Sequence, residues 1–289
     1  MKTMNLLVMK FGGTSMGSAE RMQVAANICR QQSSQRPVVA VVSAMSKITD
    51  LLLDTLRHAE AGDEAGVESN LERLAARHHS TCDELLTGDR RAAAALAIDA
   101  LLADFRRIAY GIRMLGERPP RSVDEAIAIG ERLSSILLSE YLNSLQIPAQ
   151  AVNAAEVIVT DGVFGNATPI LSETRKHAEA ILKPLLERGV LPIVTGFNGA
   201  TLDGRPTTLG RGGSDFSASI LAATLDAAEL WIWTDVDGIM SADPRSVPNA
   251  RVLDEVTYNE AAELAYNGAK VLHPRTLAPL IERLSLIHI

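Results

Sequence analysis

The sequence has few aromatic residues and few cysteines, and it lacks a long apolar run. Aromatic residues make up 4% of the 289 residues, and the two cysteines, Cys29 and Cys82, are far apart in sequence. Isolated cysteines without CxxC spacing are typical of reduced, inert thiols. No stretch reaches the length of a transmembrane helix, and Lys10 interrupts any signal-peptide core. We therefore expect a cytoplasmic protein that does not enter a membrane.

Positive charge is also scarce. The chain has 28 Lys and Arg against 35 Asp and Glu, a formal net charge of −7, and no basic block. This balance argues against nucleic acid or an anionic membrane as a partner. Hydrophobic residues make up 47% of the chain, so with few aromatics the core must be aliphatic. An aliphatic core in a chain of this length favours a parallel sheet covered by helices.

The first informative stretch is an apolar strand that ends in a lysine and a glycine turn. Residues 6–11 predict a buried strand, with Lys10 emerging at its carboxyl end. Gly12 and Gly13 allow backbone N–H groups to approach a ligand, and a helix starting near Ser18 points its positive end at the same place. These features predict a phosphate site, although an ordinary strand–turn–helix with a solvated lysine has the same outline. The lysine precedes the glycines, which excludes a Walker loop, and a three-glycine dinucleotide fingerprint is missing.

The next elements predict a second strand and a helical insertion. Residues 37–42 form a β-branched run that leads into Ser43 and Thr49, where an open α/β sheet binds ligands. Thr49 could equally serve as a helix cap. Residues 50–115 are helical in pattern, with breaks predicted at Gly62, Gly66 and Gly88. The pair His78-His79 is predicted to lie on a solvated helix face.

A capping box at 122–125 predicts the start of a helix that runs to about Leu145. Within it, Gly130 costs about 1 kcal/mol relative to alanine, which suggests a packing reason. Glu131 either pairs with Arg132 on the surface or is partly buried and faces a cationic ligand group.

The middle of the chain predicts alternating strands and helices. Asp203-Gly204 indicates a hairpin, and the capping box at 257–260 predicts a helix that Gly268 would end. The predicted strands are 149–153, 157–160, 190–195 and 229–235, and the predicted helices are 172–188 and 214–225.

The second informative stretch is 207–215, where three glycines surround Arg211 and a helix follows from Ser214. The arginine can bind a carboxylate through two parallel hydrogen bonds, and the helix start offers amides to phosphate. A flexible glycine loop would not explain why Arg211 and Asp215 bracket the turn. This stretch therefore predicts a ligand site.

Several of these motifs together resemble the aspartate kinases of the amino-acid-kinase family. The resembling stretches are Val8–Met16 (VMKFGGTSM), Gly130-Glu131, Arg211–Asp215 (RGGSD), Trp233–Val236 (WTDV) and Ala269–Pro274 (AKVLHP), in the order found in the family. The resemblance covers about residues 5–283.

The resemblance implies an α/β fold, a three-layer α/β/α sandwich with an open, mostly parallel sheet. Residues 1–283 would form the catalytic domain, with an N-terminal aspartate-binding lobe, a C-terminal ATP-binding lobe and the helical insertion. The implied reaction is the ATP-dependent phosphorylation of the side-chain carboxylate of L-aspartate, which commits it to lysine, threonine and methionine synthesis. The cofactor would be ATP with Mg²⁺, without a residue singled out as a metal ligand, and the intact protein would be a homo-oligomer.

The resemblance also implies roles for individual residues. Lys10 and Lys270 would contact the phosphates, and Asp215 would orient the two lysines or a magnesium-linked water network. Arg211 would bind the substrate α-carboxylate and Glu131 its ammonium. The remaining implied aspartate-site residues are Ser43, Thr49, Phe197, Gly212, Gly213 and Ser214. The remaining implied nucleotide-site residues are Phe11, Gly12, Gly13, Thr234, Asp235, Met240, Arg245 and Val271.

Two departures from the family's pattern stand out. Met240 occupies a position where the family carries a tyrosine beside the adenosine. Residues 284–289 match nothing expected after the last helix, where the family continues into regulatory domains. We therefore expect those domains to be absent, lysine and threonine not to inhibit through a second site, and the uncovered surface to favour association.

Other functions compatible with the motifs are a related kinase for glutamate, carbamate or a nucleotide, and a non-catalytic nucleotide-binding module. The Lys-Phe-Gly-Gly-Thr-Ser string with Glu131 and Arg211 favours aspartate. Lys10, Lys270 and Asp215 together favour catalysis. A dinucleotide oxidoreductase is disfavoured by the missing fingerprint.

Overall fold

A six-stranded sheet forms the centre of the molecule, and each pair of neighbouring strands in it is parallel. The structure is a computed structural model that describes residues 5–236, 238–242, 247, 249–266, 272–281 and 286–289. The sheet strands are β1 (Leu7–Phe11), β2 (Val38–Val42), β3 (Ala149–Val152), β4 (Leu191–Thr195), β7 (Glu229–Trp233) and β8 (Leu286–His288); β5 (Asn198–Ala200) and β6 (Pro206–Thr208) form a separate antiparallel hairpin. The order β3-β4-β2-β1-β7-β8 places β1 inside the sheet.

Helices cover both faces of this sheet, which confirms the predicted α/β/α architecture. They are α1 (Ala19–Ser33), α2 (Ile48–Glu60), α3 (Glu64–Leu85), α4 (Gly88–Leu115), α5 (Pro120–Ile127), α6 (Ile129–Ser144), α7 (Leu171–Glu187), α8 (Gly213–Thr224), α9 (Tyr258–Tyr266) and α10 (Pro274–Leu277), with a 3₁₀ turn at Ala154–Glu156. Every residue of β1, β2 and β4 is buried, as expected for parallel strands covered on both sides. Within the described ranges, no helix combines the length and apolarity that a membrane span requires.

The alternation of side chains along β1 decides which helical layer each one meets. Met9 and Phe11 pack in the core formed with α1–α6, whereas Leu6 and Val8 pack in the core formed with α7 and α8. Successive side chains of a strand point to opposite faces, so Lys10 lies on the face of Leu6 and Val8. Its position in the sequence therefore directs Lys10 towards α8.

The helical insertion predicted over 50–115 is confirmed as α2, α3 and α4. Gly62 ends the first of these helices in a left-handed conformation (φ 74°), and Gly88 (φ 59°) begins the third. The break predicted at Gly66 is wrong, because Gly66 lies in the first turn of α3 and its N–H donates to the side chain of Asp63 at 3.0 Å. A Cβ at Gly66 would collide with the ring of His58, so close packing explains this glycine.

The capping box at 122–125 and the continuous helix to Leu145 are also wrong. The helix α5 begins at Pro120, since proline at the first helical position is already in a helical conformation. Ser122 therefore lies inside the helix, and the segment divides at Ala128 into α5 and α6. In contrast, the capping box at Thr257 is confirmed, because Thr257 and Glu260 exchange side-chain-to-backbone hydrogen bonds. Gly268 lies outside the described residues.

Three smaller predictions can also be compared with the structure. The strand predicted at 157–160 is not formed: Val159 makes only an isolated bridge to Ala200, and its N–H donates to the hydroxyl of Thr174. His78 is buried in α3 instead of lying on a solvated face, and burial lowers its pKa to about 4. Cys29 is a buried free thiol, and burial raises its pKa to about 12, which agrees with an inert role.

Candidate active site

The two informative stretches of the sequence meet at one cavity of about 660 Å³ at the carboxyl ends of the central strands. Its walls come from both sides of the sheet. The turn after β1, the loop after β2 and helices α5 and α6 line one part, and the turn before α8 lines another. Open α/β sheets commonly bind ligands in this position, because loops from neighbouring strands diverge there and leave a crevice.

An ion pair between Lys10 and Asp215 lies in this cavity. Lys10 Nζ is 2.6 Å from Asp215 Oδ1, and the two side chains are 9% and 18% exposed. The contact is an ion pair and does not have hydrogen-bond geometry. Asp215 Oδ1 is buried and makes no hydrogen bond within the described residues. A buried ammonium needs a nearby anion, so Asp215 explains how Lys10 is accommodated at the end of β1.

The glycine turn after β1 fits closely between its neighbours. A Cβ at Gly13 would lie 3.2 Å from the carbonyl oxygen of Ala44, which is why the turn needs a glycine there. The Gly12 N–H donates to the carbonyl of Trp233 at 3.1 Å, so it is occupied by the sheet. The Gly13 N–H makes no hydrogen bond in the described part of the chain and remains available to a ligand. The cap expected near Ser18 is confirmed, because its side chain accepts from the N–H of Arg21.

Glu131 is the most strongly perturbed carboxyl group of the cavity. It is 3% exposed, and its Oε2 has no hydrogen-bond partner among the described residues. Burial raises the pKa of Glu131 to about 8, although a hydrogen bond from the Ala44 backbone acts in the opposite direction. No ion pair joins it to Arg132 within the described chain, so the surface-pair alternative does not hold.

Gly130 explains how Glu131 comes so close to the loop after β2. A Cβ at Gly130 would lie 2.8 Å from the Cβ of Ala44 and 3.3 Å from Leu52. The helix α2 has Lys47 as its N-cap and no side-chain capping bond. Thr49 is therefore not a cap; it lies in the first turn of α2 and lines the cavity.

Arg211 lies between two glycines in left-handed conformations, Gly210 (φ 78°) and Gly212 (φ 72°). Its side chain is exposed towards the cavity and makes no hydrogen bond or ion pair in the described ranges. The turn is packed tightly behind it, since a Cβ at Gly213 would lie 2.7 Å from the ring of Phe197. Among the described residues, the arrangement therefore leaves the guanidinium of Arg211 unpaired on a close-packed turn.

The cavity includes most of the residues predicted from the sequence to form the site. Its predicted members are Lys10, Gly12, Gly13, Ser43, Thr49, Glu131, Phe197, Arg211, Gly212, Gly213, Ser214, Asp215, Thr234 and Asp235. Phe11 is buried and stacks on Trp233, and Met240 pairs with Val252 in an isolated bridge; neither lines the cavity. Lys270, Val271 and Arg245 lie outside the described residues.

Sequence reasoning missed two residues that help to hold the site together. Asp124 is buried and accepts three hydrogen bonds, two of them from Thr208. Arg275 binds the carbonyl oxygens of Leu209 and Ala167 and covers the ring of Phe216. The capping-box pattern at 122–125 includes Asp124, and nothing in its local sequence distinguishes a buried acceptor from a solvated one.

The cavity residues fit a magnesium ion only if it arrives on a ligand. No group of three or more His, Cys, Asp or Glu side chains among the described residues could hold a metal. Asp215 offers a carboxylate, whose Oδ1 is also paired with Lys10. Mg²⁺ is commonly bound through one or two carboxylates together with substrate phosphates, and this donor set fits that pattern.

The family model described as "Amino acid kinase family" matches residues 5–289. The chain is 36% identical over 275 residues to an aspartokinase of Chlamydia trachomatis, covering 95% of this chain and 59% of that protein. It is likewise 36% identical to lysine-sensitive aspartokinase 3 of Escherichia coli, covering 96% of this chain and 59% of that protein. A bifunctional aspartokinase/homoserine dehydrogenase of Arabidopsis thaliana shares 36% identity over 95% of this chain, which spans 30% of that protein.

Solved structures of other proteins have a similar fold. Escherichia coli aspartokinase III in complex with aspartate and ADP matches with a TM-score of 0.88 and 34% identity, over 97% of this chain and 61% of that chain. The carbamate kinase of Giardia lamblia shares the fold, with a TM-score of 0.56 and 14% identity over 98% of this chain and 89% of that chain.

Proposed function

The chain belongs to the amino acid kinase family, and on that premise we propose that it is the catalytic part of an aspartate kinase. It transfers the γ-phosphoryl group of ATP to the side-chain carboxylate of L-aspartate and forms 4-phospho-L-aspartate. Residues 1–283 provide the aspartate-binding and ATP-binding lobes. The similarity to aspartokinases over 95–96% of the chain supports this assignment.

The observation that carries the proposal is the charge arrangement in one cavity. Within the described part of the chain, the Oε2 of buried Glu131 has no hydrogen bond and the guanidinium of Arg211 has no partner. Both residues face the same space as the Lys10–Asp215 ion pair. An amino acid brings an ammonium for Glu131 and an α-carboxylate for Arg211. Because only these two groups are anchored, the side-chain carboxylate is left free to react with a phosphoryl group near Lys10.

The transfer needs no covalent enzyme intermediate. A side-chain oxygen of aspartate forms a bond to the γ-phosphorus while the bond from that phosphorus to the bridging oxygen breaks and ADP leaves with the electron pair. Lys10 neutralises charge on the moving phosphoryl group, and Asp215 holds the ammonium in place. Alignment of the reactants and electrostatic stabilisation can supply most of the rate enhancement in such a reaction.

The nucleotide lies on the β7 side of the cavity in this proposal. The Gly13 N–H has no acceptor among the described residues and can donate to a phosphate, and Thr234 and Asp235 also line the cavity. Lys270, Val271 and Arg245 are assigned to the nucleotide by resemblance. Magnesium bound with ATP would neutralise phosphate charge, and the Asp215 carboxylate would hold it.

An assay of ADP formation with a panel of acceptors tests the proposal. L-aspartate should support ADP formation, and hydroxylamine should trap the acyl phosphate as the aspartyl hydroxamate. L-glutamate, carbamate and UMP should support little. Preference for one of those three would assign the chain to another branch of the family, and ATP binding without transfer to any acceptor would indicate a non-catalytic nucleotide-binding module.

A further inference from the structure

We propose that Asp124 is a positioning residue that fixes the turn carrying Arg211, and that it thereby sets how tightly the site holds the α-carboxylate of its amino-acid substrate. The inference rests on the function proposed above. Asp124 borders the cavity, but nothing in the reaction requires it to touch substrate, and both of its carboxylate oxygens accept from protein donors.

The carboxylate of Asp124 joins two segments that are far apart in sequence. Its Oδ2 accepts from the backbone N–H of Gly165 and of Thr208, both at 2.8 Å. Its Oδ1 accepts from the hydroxyl of Thr208 at 2.8 Å. The residue is 2% exposed, so water cannot replace these donors without a change in the structure.

The two segments that Asp124 joins meet at Gly210, the residue before Arg211. A Cβ at Gly210 would lie 2.8 Å from Asn166 Oδ1 and 3.2 Å from the carbonyl oxygen of Gly165. Arg275 also joins the two segments, because its Nη1 donates to Asn166 Oδ1 and to the carbonyl of Leu209. The junction is therefore held by both a buried carboxylate and a guanidinium.

The Arg211 turn depends on such anchoring because its own backbone is permissive. Gly210 and Gly212 can leave their left-handed conformations at little steric cost. Only three residue steps, at most about 11 Å of chain, separate Thr208 from Arg211. Release of Thr208 would consequently let the guanidinium move away from the position of the α-carboxylate.

Adjacent threonines of β6 provide a matched test of this role. Thr208 and Thr207 are 1% and 0% exposed, and each hydroxyl makes a buried side-chain hydrogen bond, Thr208 to Asp124 and Thr207 to Thr160 at 2.6 Å. Thr208 lines the cavity and Thr207 does not. Thr208→Val and Thr207→Val each remove one such bond, so they should lower the melting temperature to a similar extent. Only Thr208→Val is expected to raise the aspartate KM, by about fivefold, with the ATP KM unchanged.

Asp124 itself is tested with two variants. Asp124→Ala should raise the aspartate KM by about tenfold or more and leave the ATP KM within about twofold of wild type, since it affects one substrate's binding. Asp124→Asn should restore most of the affinity, because its oxygen can still accept from both N–H groups and its amide can donate to the Thr208 hydroxyl. Activity of the wild-type chain on aspartate is measured first, and its absence would contradict the proposed function, on which this inference rests.

A double-mutant cycle decides whether Asp124 acts through Arg211. On an Arg211→Ala background, Asp124→Ala should add little further increase in the aspartate KM. Additive effects, equal changes in both KM values, or equal KM effects of the two threonine variants would overturn the proposal. If Asp124→Ala does not fold, Thr208→Val and its control Thr207→Val, each measured with and without Arg211→Ala, give the same decision.

Discussion

Lys10 Nζ lies 2.6 Å from Asp215 Oδ1, where the carboxyl end of β1 meets the first turn of α8. The strand alternation of β1 directs the lysine to this helix, and the glycine turn before α8 brings the aspartate to the end of the strand. Because both side chains are largely withdrawn from water, the ammonium is already oriented before a phosphoryl group arrives. Such preorganised charge is effective in stabilising a transition state.

Replacement of Lys10 by alanine tests this arrangement. Lys10→Ala should lower kcat by about 10²-fold or more, because negative charge on the transferred phosphoryl group loses a preorganised cation. Steady-state kinetics with a thermal-unfolding control provide the measurement. Lys176→Ala is the matched control, because Lys176 is an exposed lysine paired with Glu173 on α7. A folded Lys10→Ala variant with the kcat of the Lys176 control would show that Lys10 has another role.

Glu131→Gln tests whether Glu131 binds the ammonium group of the substrate. Removing one partner of a desolvated charge pair costs about 2–5 kcal/mol, so the aspartate KM should rise at least tenfold while the ATP KM changes little. The control is Glu125→Gln, which alters an exposed carboxylate on the neighbouring helix α5. Equal increases in both KM values for Glu131→Gln would mean that Glu131 supports the fold and not substrate binding.

The raised pKa of Glu131 predicts a pH dependence of aspartate binding. The carboxyl group has a pKa of about 8 in the ligand-free protein, and pairing with a substrate ammonium requires its ionised form. The aspartate KM should therefore fall by up to about tenfold per pH unit between about pH 6 and pH 8, and binding should release a proton. Calorimetry in buffers of different ionisation enthalpy measures that proton. A flat aspartate KM across this range in the wild type, as expected for Glu131→Gln, would contradict the assignment.

The same shift predicts the pH dependence of stability. The folded carboxyl has a pKa of about 8 against an ordinary value of 4.5, so the folded state retains a proton that the unfolded state loses. The free energy of unfolding of the ligand-free protein should accordingly fall as the pH rises from about 4.5 to about 8. Urea denaturation across this range measures the effect, and Glu131→Gln should reduce the slope. If the slope is equal in both proteins, a group other than Glu131 causes the pH dependence of stability.

Alanine substitutions at two helix glycines distinguish the effect of helix propensity from the effect of side-chain packing on stability. Gly111 lies within α4, and among the described residues no atom lies within 4 Å of the position that an added Cβ would take. Gly111→Ala should therefore stabilise the protein by up to about 1 kcal/mol. Gly130→Ala places a Cβ 2.8 Å from Ala44 and should destabilise it by about 1–3 kcal/mol despite the better helix propensity. Denaturant unfolding distinguishes the two, and stabilisation by both variants would show that the loop after β2 moves aside easily.

The sequence by itself determined the architecture and many of the residues that line the cavity. Strict apolar runs indicated β1, β2 and β4, and helical periodicity indicated the insertion of α2 to α4. Two local motifs pointed to the cavity: the lysine with the glycine turn after β1, and the arginine between glycines before α8. A cationic side chain beside glycines at the end of a strand or the start of a helix is typical of an anion-binding site. Local patterns such as these act over a few residues, so they can be recognised without the fold.

Only the tertiary structure decided what each carboxylate does. Asp124 and Glu125 are adjacent acidic residues on one helix, yet the first is a buried acceptor and the second is exposed. Glu131 differs from both because Gly130 lets α6 approach the loop after β2 and remove water from its side chain. The protonation, hydrogen bonding and role of a carboxyl group depend on desolvation and on donors from distant segments, and those are set by how the layers pack and not by its neighbours in sequence.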